Sequence, residues 1–302
     1  MKLCKSVLAS CLAACLCFGC RKPAAPPFAC SDCSYLLVSV DTLRADHLGC
    51  YGYQRPTSPN IDNLARRSLV FENAYTPRPQ TLVAHVSLMS GLYPQVHGTY
   101  PGLCINPSLQ TLPQHMQAAG FETADFTTHS IWLGPKTGFD RGFGSFFTKD
   151  FSGEELNEKI FGWLDQHHKK KFFLFVHYYD VHSDFKRFPY ETGTELDLKF
   201  APAPADYQPC DAKNRCGSQY LTSSYEEGFV PPPSAHVAHI VGRYDGGIAY
   251  TDRLLASLFE KLAALGLNEK LVIVLTSDHG EEFLEHSRFL HTQATARPRT
   301  SP

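Results

Sequence analysis

Continuous apolar runs alternate with amphipathic segments from residue 35 onward. The runs read YLLVSVD at 35–41, KFFLFVHYYD at 171–180 and KLVIVLTSD at 270–278, and FETADFTT at 121–128 is a further candidate strand. A run that is apolar at successive positions predicts a strand buried on both faces, as in a parallel sheet.

Helix-like segments lie between these runs. They are SPNIDNLARRS, residues 81–91, the stretch after Ser152 and a long segment at 239–265 that stops at Gly266. Ser152 and Glu155 have the spacing of a capping box. The order predicts an α/β fold with a mainly parallel sheet and helices on both faces. Residues 184–235 are rich in proline, tyrosine and charge, and we interpret them as an insertion loop outside the core.

The amino terminus has a different pattern. An apolar run from Val7 to Gly19 follows two lysines and ends at Cys20. It is too short to span a bilayer and is typical of a signal peptide. Gly19-Cys20 resembles a bacterial lipoprotein processing site. We expect a lipoprotein-type signal peptide at 1–20, a tether at 21–34 and a lipid-anchored protein in the bacterial cell envelope, periplasmic or otherwise extracytoplasmic. Plain secretion and a retained anchor are the alternatives.

Composition and cysteines narrow the class of protein. The 302 residues carry a formal charge of −2, which gives no reason to expect nucleic acid as a partner. Six of the eleven cysteines lie after the leader. Cys210 and Cys216 bracket a polar loop and suit a disulfide in an oxidising compartment. Cys30 and Cys33 suit a second bridge or a redox pair.

Polar groups that could bind a metal follow two of the predicted strands. Asp41 ends the first run, and Asp278 with His279 ends the last. Because the carboxyl ends of parallel strands meet at one edge of a sheet, we expect these groups to lie together. Carboxylates plus one imidazole suit one divalent ion such as Zn²⁺, Mn²⁺ or Ca²⁺. Thr81 starts a predicted helix and is either a helix cap or a nucleophile activated by that ion.

Four longer segments carry a family resemblance. They are VSVDTLRADHLGCYGYQRPTSPNIDNLA, TLVAHVSLMSGLYPQVHG, RYDGGIAYTDRLLASLFEKL and VLTSDHGEEFLEHSRFLHTQ. Together they resemble the sulfatase family of the alkaline phosphatase superfamily, over residues 35–293. The resemblance implies an alkaline-phosphatase-like fold and one metal held by Asp41, Thr81, Asp278 and His279.

The chain departs from the usual sulfatase motif at the nucleophile. Thr81 stands where these enzymes have the cysteine or serine that becomes formylglycine, and His85 stands at the arginine position. Threonine cannot form that group because its β-carbon carries a methyl, so the hydroxyl itself must attack. The metal ligands resemble those of the phosphodiesterase and phosphoethanolamine-type transferase branches. A plain alkoxide favours phosphoryl transfer, while the flanking sequence favours sulfate esters.

The resemblance also implies roles for several histidines. His182 and His291 match positions that contact the anionic group, and His85 is a further substrate-binding candidate. His177 lies within a strand and is interpreted as a core histidine.

We therefore expect an exported, metal-dependent hydrolase or transferase acting on a small-molecule, glycan-linked or lipid-linked sulfate or phosphate ester through Thr81. A phosphodiesterase or phosphoethanolamine-type transferase is one alternative. Residues 294–302 do not resemble the family's continuation, and its carboxy-terminal subdomain is expected to be missing. A non-catalytic remnant is therefore the other alternative.

Overall fold

The computed structural model describes residues 30, 32–128, 131–149, 152–183, 188–207 and 218–291. The chain divides into two units, residues 1–33 and 34–302. Within the first unit, Cys30 and Cys33 form a disulfide, with their Cα atoms 5.4 Å apart. The bond agrees with the expected bridge and is also the oxidised form of a redox pair, so both alternatives stay predictions. The segment predicted to be a signal peptide, Cys210, Cys216 and the tail at 294–302 lie outside the described residues.

A five-stranded parallel sheet organises the second unit. Its strands, in chain order, are β1 (Ser34–Val40), β2 (Glu122–Thr128), β3 (Ser145–Lys149), β4 (Phe172–Tyr178) and β5 (Leu271–Ser277). They lie in the order β3-β2-β4-β1-β5, and every neighbouring pair is parallel. The four predicted strands are confirmed. β3 was not predicted, because this short edge strand is only partly buried and carries little apolar signal.

Seven α-helices and a short hairpin surround the sheet among the described residues. The helices are α1 (Pro59–Ala65), α2 (Thr81–Ser90), α3 (Pro94–His97), α4 (Leu112–Ala118), α5 (Gly153–His167), α6 (Ser218–Thr222) and α7 (Ser234–Ala264). A two-stranded antiparallel hairpin, β6 (Glu282–Phe283) and β7 (Phe289–Leu290), follows β5. Ser152 caps α5 in the predicted capping box. None of the helices in the described ranges is both long and apolar enough to cross a membrane.

Side chains of the central strands alternate between two apolar cores. Leu36 and Val38 point into the larger core, which also contains residues of α5 and α7. Leu37 and Phe175 point the other way, into a smaller core with residues of α2. Helices therefore cover both faces of the sheet, as the alternating pattern predicts.

Part of the segment 184–235 belongs to the core, so its interpretation as a loop outside the core is wrong in this respect. Tyr190, Leu196 and Leu221 are fully buried in the larger core. A Cβ atom added at Gly246 in α7 would lie 2.5 Å from the Leu196 carbonyl oxygen. The helix therefore packs directly on this segment. Its apolar residues are scattered among prolines and charges without a period, so the sequence pattern did not show their burial.

Candidate active site

The predicted metal ligands meet at the carboxyl edge of the sheet. β1 and β5 are neighbours in register, with Val40 beside Ser277, so the next residues, Asp41 and Asp278, follow the two strands side by side. Asp41 is completely buried, and Asp278 is 3% exposed. The chain turns immediately after Asp41 at Thr42, whose φ of +53° is unusual for a β-branched residue. The turn directs the Thr42 amide to the Asp278 carboxylate, at 3.3 Å.

The four predicted ligands lie close together, and ligand atoms of Asp41, Asp278 and His279 are all within 4.8 Å of one another. Thr81 Oγ1 lies 3.4 Å from Asp41 Oδ2 and 3.4 Å from His279 Nε2. His279 Nε2 lies 3.4 Å from Asp278 Oδ2 and 3.8 Å from Asp41 Oδ1. Ligands about 2.0–2.2 Å from a zinc ion stand about 3.3–3.6 Å apart in a tetrahedron. Three of the four distances lie in this range, and Thr81 and His279 approach different oxygens of Asp41. The side chains are thus close enough to share one divalent ion after local adjustment.

Two carboxylate oxygens at this place lack partners. Asp41 Oδ1 and Asp278 Oδ2 are buried and accept no hydrogen bond from the described part of the chain. Burial raises the pKa of Asp41 well above its usual value, and the charge of Asp278 raises it further. Buried anionic oxygens are costly unless paired or bound to a cation. The donor set and its unpaired oxygens thus fit a divalent cation.

Thr81 is not the cap of its helix. Gln80 occupies the N-cap position, and Thr81 is the first helical residue. Its hydroxyl instead lies within 3.4 Å of Asp41 and His279. The first-turn backbone amides of a helix have no partners within the helix, and this end of the helix favours an anion. Thr81 therefore stands between the candidate metal site and a place suited to an anionic ester.

His182 and His291 lie together beside this site. The two rings make an edge contact at 5.1 Å, and His291 lies 4.2 Å from the ring of His279. Glu281 accepts a hydrogen bond from His291 Nδ1 at 3.0 Å. Burial lowers the pKa of His291, but the nearby carboxylates, chiefly Glu281, outweigh it and raise the pKa to about 9. A protonated His291 would suit contact with an anionic ester. The sequence did not indicate Glu281.

Two further histidines lie beneath the site. His85 is fully buried; its Nδ1 donates to the Thr81 carbonyl at 2.7 Å, and the Ser39 hydroxyl donates to its Nε2 at 2.9 Å. A substrate contact, which stays a prediction, would require one of these bonds to break.

His177 is buried, as predicted, but its Nε2 lies 3.2 Å from Asp41 Oδ2. The sequence interpretation missed this contact, although a polar residue in an apolar strand near its carboxyl end was a signal. Burial lowers the pKa of both histidines to about 4, so both rings are neutral.

The parallel sheet, the buried ligand set and the hydroxyl at a helix start define the class of α/β hydrolases that resemble alkaline phosphatase. Comparison with known proteins specifies the family. The sulfatase family model matches residues 34–300, and the chain belongs to the sulfatase family.

Individual relatives agree with this assignment. Human iduronate 2-sulfatase is 26% identical over an alignment that covers 84% of this chain and 56% of the human protein. This chain thus spans about half the length of that relative. Two solved structures share the fold. The phosphonate monoester hydrolase of Agrobacterium radiobacter has a TM-score of 0.67 at 16% identity, covering 85% of this chain and 64% of that one. The carboxy-terminal periplasmic domain of EcEptC from Escherichia coli, solved with zinc, has a TM-score of 0.59 at 21% identity, covering 87% and 69%.

Proposed function

We propose that this protein is an exported, metal-dependent ester hydrolase or transferase that uses Thr81 as its nucleophile. One observation carries the proposal: Thr81 Oγ1 lies 3.4 Å from both Asp41 and His279, at the start of a helix, without acting as the cap. The lipoprotein-type leader supports a place in the cell envelope, anchored by lipid at Cys20.

The residues of the site support a two-step reaction. A divalent cation held by Asp41, Asp278, His279 and Thr81 would lower the pKa of the Thr81 hydroxyl and offset charge on the ester oxygens. Solvent water takes the proton of the Thr81 hydroxyl and later returns a proton to His291. The Thr81 oxygen forms a bond to phosphorus or sulfur as the bond to the leaving oxygen breaks. His291 gives its proton to that oxygen, and His182 orients the anion beside it. Water, or an acceptor alcohol, then takes the group from the threonyl ester and returns a proton to Thr81.

Phosphate esters are the substrates that this chemistry favours. A threonyl phosphate is hydrolysed by attack at phosphorus, whereas a threonyl sulfate lacks the carbonyl-derived route that releases sulfate from formylglycine. The fold shared with a phosphonate monoester hydrolase and with EcEptC accommodates this proposal. Sulfate esters are the second candidate, supported by the sulfatase relatives such as iduronate 2-sulfatase.

Variants of Thr81 test the nucleophile. Thr81→Ala should fold but lose turnover of aryl phosphate and phosphodiester probes, and Thr81→Ser should retain partial activity because the hydroxyl remains. Thr111 is a matched control, since this buried threonine is the N-cap of α4 and lies in its capping box. Thr111→Ala should lose about 1 kcal/mol of stability and keep its activity.

The outcomes separate the alternatives. Full activity in Thr81→Ala would remove Thr81 from the mechanism. Faster turnover of aryl sulfate than of aryl phosphate would favour the sulfatase alternative. A wild-type protein that binds zinc but turns over neither ester would identify a non-catalytic remnant.

A further inference from the structure

We propose that His177 is a positioning residue that holds the Asp41 carboxylate in the orientation needed to bind a cation. The inference rests on the metal site of the proposed function and concerns a residue that the family resemblance did not include. It is a claim about the affinity of the protein for metal, so it can be tested without measuring turnover.

Strand β4 holds Asp41 at two points. The Asp41 amide donates to the Tyr178 carbonyl at 2.9 Å, which fixes the backbone. The adjacent residue, His177, places Nε2 3.2 Å from Asp41 Oδ2, which fixes the side chain. Ser39 and His177 are register partners, so their side chains lie on the same face of the sheet. Asp41 follows Ser39 by two residues, just after the end of β1, and alternation along the strand places it on that face as well. The contact therefore follows from the parallel register.

The two oxygens of Asp41 differ in their contacts: Oδ2 accepts a hydrogen bond from His177, and Oδ1 stays available to a cation. A carboxylate only accepts, so this hydrogen bond requires His177 Nε2 to carry a proton and donate it to Oδ2. The other oxygen, Oδ1, has no partner in the described structure and lies 3.8 Å from His279 Nε2. Occupying Oδ2, which also lies 3.4 Å from Thr81 Oγ1, limits rotation of the carboxylate and keeps Oδ1 directed toward His279. Hydrogen bonds of this kind to a ligating group typically strengthen metal binding.

A second cation is the competing explanation for the buried histidines. His85, His177 and Asp278 could each offer one ligand atom, with these atoms within 4.8 Å of one another. The hydrogen bonds disfavour it, because His85 Nδ1 donates to the Thr81 carbonyl at 2.7 Å and so carries a proton. The other nitrogen accepts from Ser39. Coordination by His85 would break at least one of these bonds.

Zinc affinity of His177 variants tests the proposal. The dissociation constant for Zn²⁺ is measured by chelator competition in the wild type, His177→Leu, His177→Gln and a control. His177→Leu removes the donor and should weaken zinc binding about 10- to 100-fold. His177→Gln carries an amide N–H at a similar distance from the backbone and should recover most of that loss. His239→Leu is the matched control, because His239 is equally buried but binds the Ala201 carbonyl in another part of the fold.

Several results would overturn the inference. It fails if His177→Leu and His177→Gln both bind zinc as tightly as the wild type. It also fails if the wild type binds two zinc ions and His177→Leu binds one, because His177 would then be a ligand. If His177→Leu does not fold without metal, His177→Asn replaces it, because Asn keeps an amide but its shorter side chain places the N–H further from Asp41 Oδ2. Zinc binding by His177→Asn as tight as that of the wild type would then refute the role. A wild type that binds no zinc removes the proposed metal site itself, which distinguishes that failure from failure of the His177 role alone.

Discussion

Zinc-dependent stability is the most direct measure of the candidate metal site. Asp41 and Asp278 bring two carboxylates into the same buried place, and one oxygen of each has no hydrogen-bond partner among the described residues. Replacing Asp278 with Asn removes one charge and changes the shape very little. The Asn side-chain oxygen can still accept from the amides of Thr42 and His279, which Asp278 Oδ1 does at 3.3 and 2.8 Å. The amide nitrogen would replace the unpaired Oδ2.

The size of the effect follows from binding linkage. A cation at a hundredfold excess over its dissociation constant stabilises the folded state by about 2.7 kcal/mol. For a chain of this length, each kcal/mol shifts the melting temperature by about 2–4 °C, so zinc should raise the Tm of the wild type by about 5–10 °C. Asp278→Asn should lose most of this shift. In chelator, its Tm should equal or exceed that of the wild type, because the repulsion between two buried carboxylates is gone.

Differential scanning calorimetry with Zn²⁺ and with chelator checks both statements. Asp252→Asn is a control, since Asp252 is also buried but binds the start of α1 instead of the candidate site. This control should melt at a lower temperature and keep the full zinc shift. Equal melting of the wild type in zinc and in chelator would refute the site. A full zinc shift in Asp278→Asn would refute the assignment of this ligand.

Two further predictions concern carboxylates elsewhere in the fold. Asp252 on α7 accepts hydrogen bonds from the amides of Asn60 and Ile61 and from the Asn60 side chain, at 2.7–3.1 Å, and so caps α1 from another helix. Asp252→Ala should lower the free energy of unfolding, measured in urea, by about 2 kcal/mol or more. An unchanged urea midpoint would contradict this role. Asp125 in β2 is fully buried, and burial raises its pKa well above 3.8 although the nearby Thr127 hydroxyl lowers it. Because its folded pKa is raised, stability is lost as pH rises from 3.8 through the folded value. Asp125→Val should therefore raise the Tm by an amount that grows with pH, and a difference that is constant or shrinks with pH would show that Asp125 is not the group responsible.

Some of the structure depended on information that local sequence does not contain. Asp252 caps a helix that is about 190 residues away in the chain, and the polar pattern around Asp252 itself predicts only a helix face. Tyr190 is buried although its surroundings are rich in proline and charge. Thr81 illustrates the same limit at the candidate site. Its position before an apolar helical segment is equally consistent with a cap and with a nucleophile, and only the place of Gln80 at the N-cap separates these alternatives.

The sequence by itself determined the parallel sheet and the two helix layers, and it predicted that Asp41, Asp278 and His279 would meet at one edge of the sheet. It could do so because buried strands are continuously apolar and because parallel strands bring their carboxyl ends to one edge. Only the tertiary structure decided which residues contact and support the side chains of the candidate site. His177 meets Asp41 through the register of β4 against β1, His85 joins Thr81 to Ser39, and Glu281 reaches His291 across a turn. These contacts join residues whose local sequence patterns are those of an ordinary strand, helix and turn. Strand register and chain reversal, which place the partners within hydrogen-bonding distance, are properties of the folded chain.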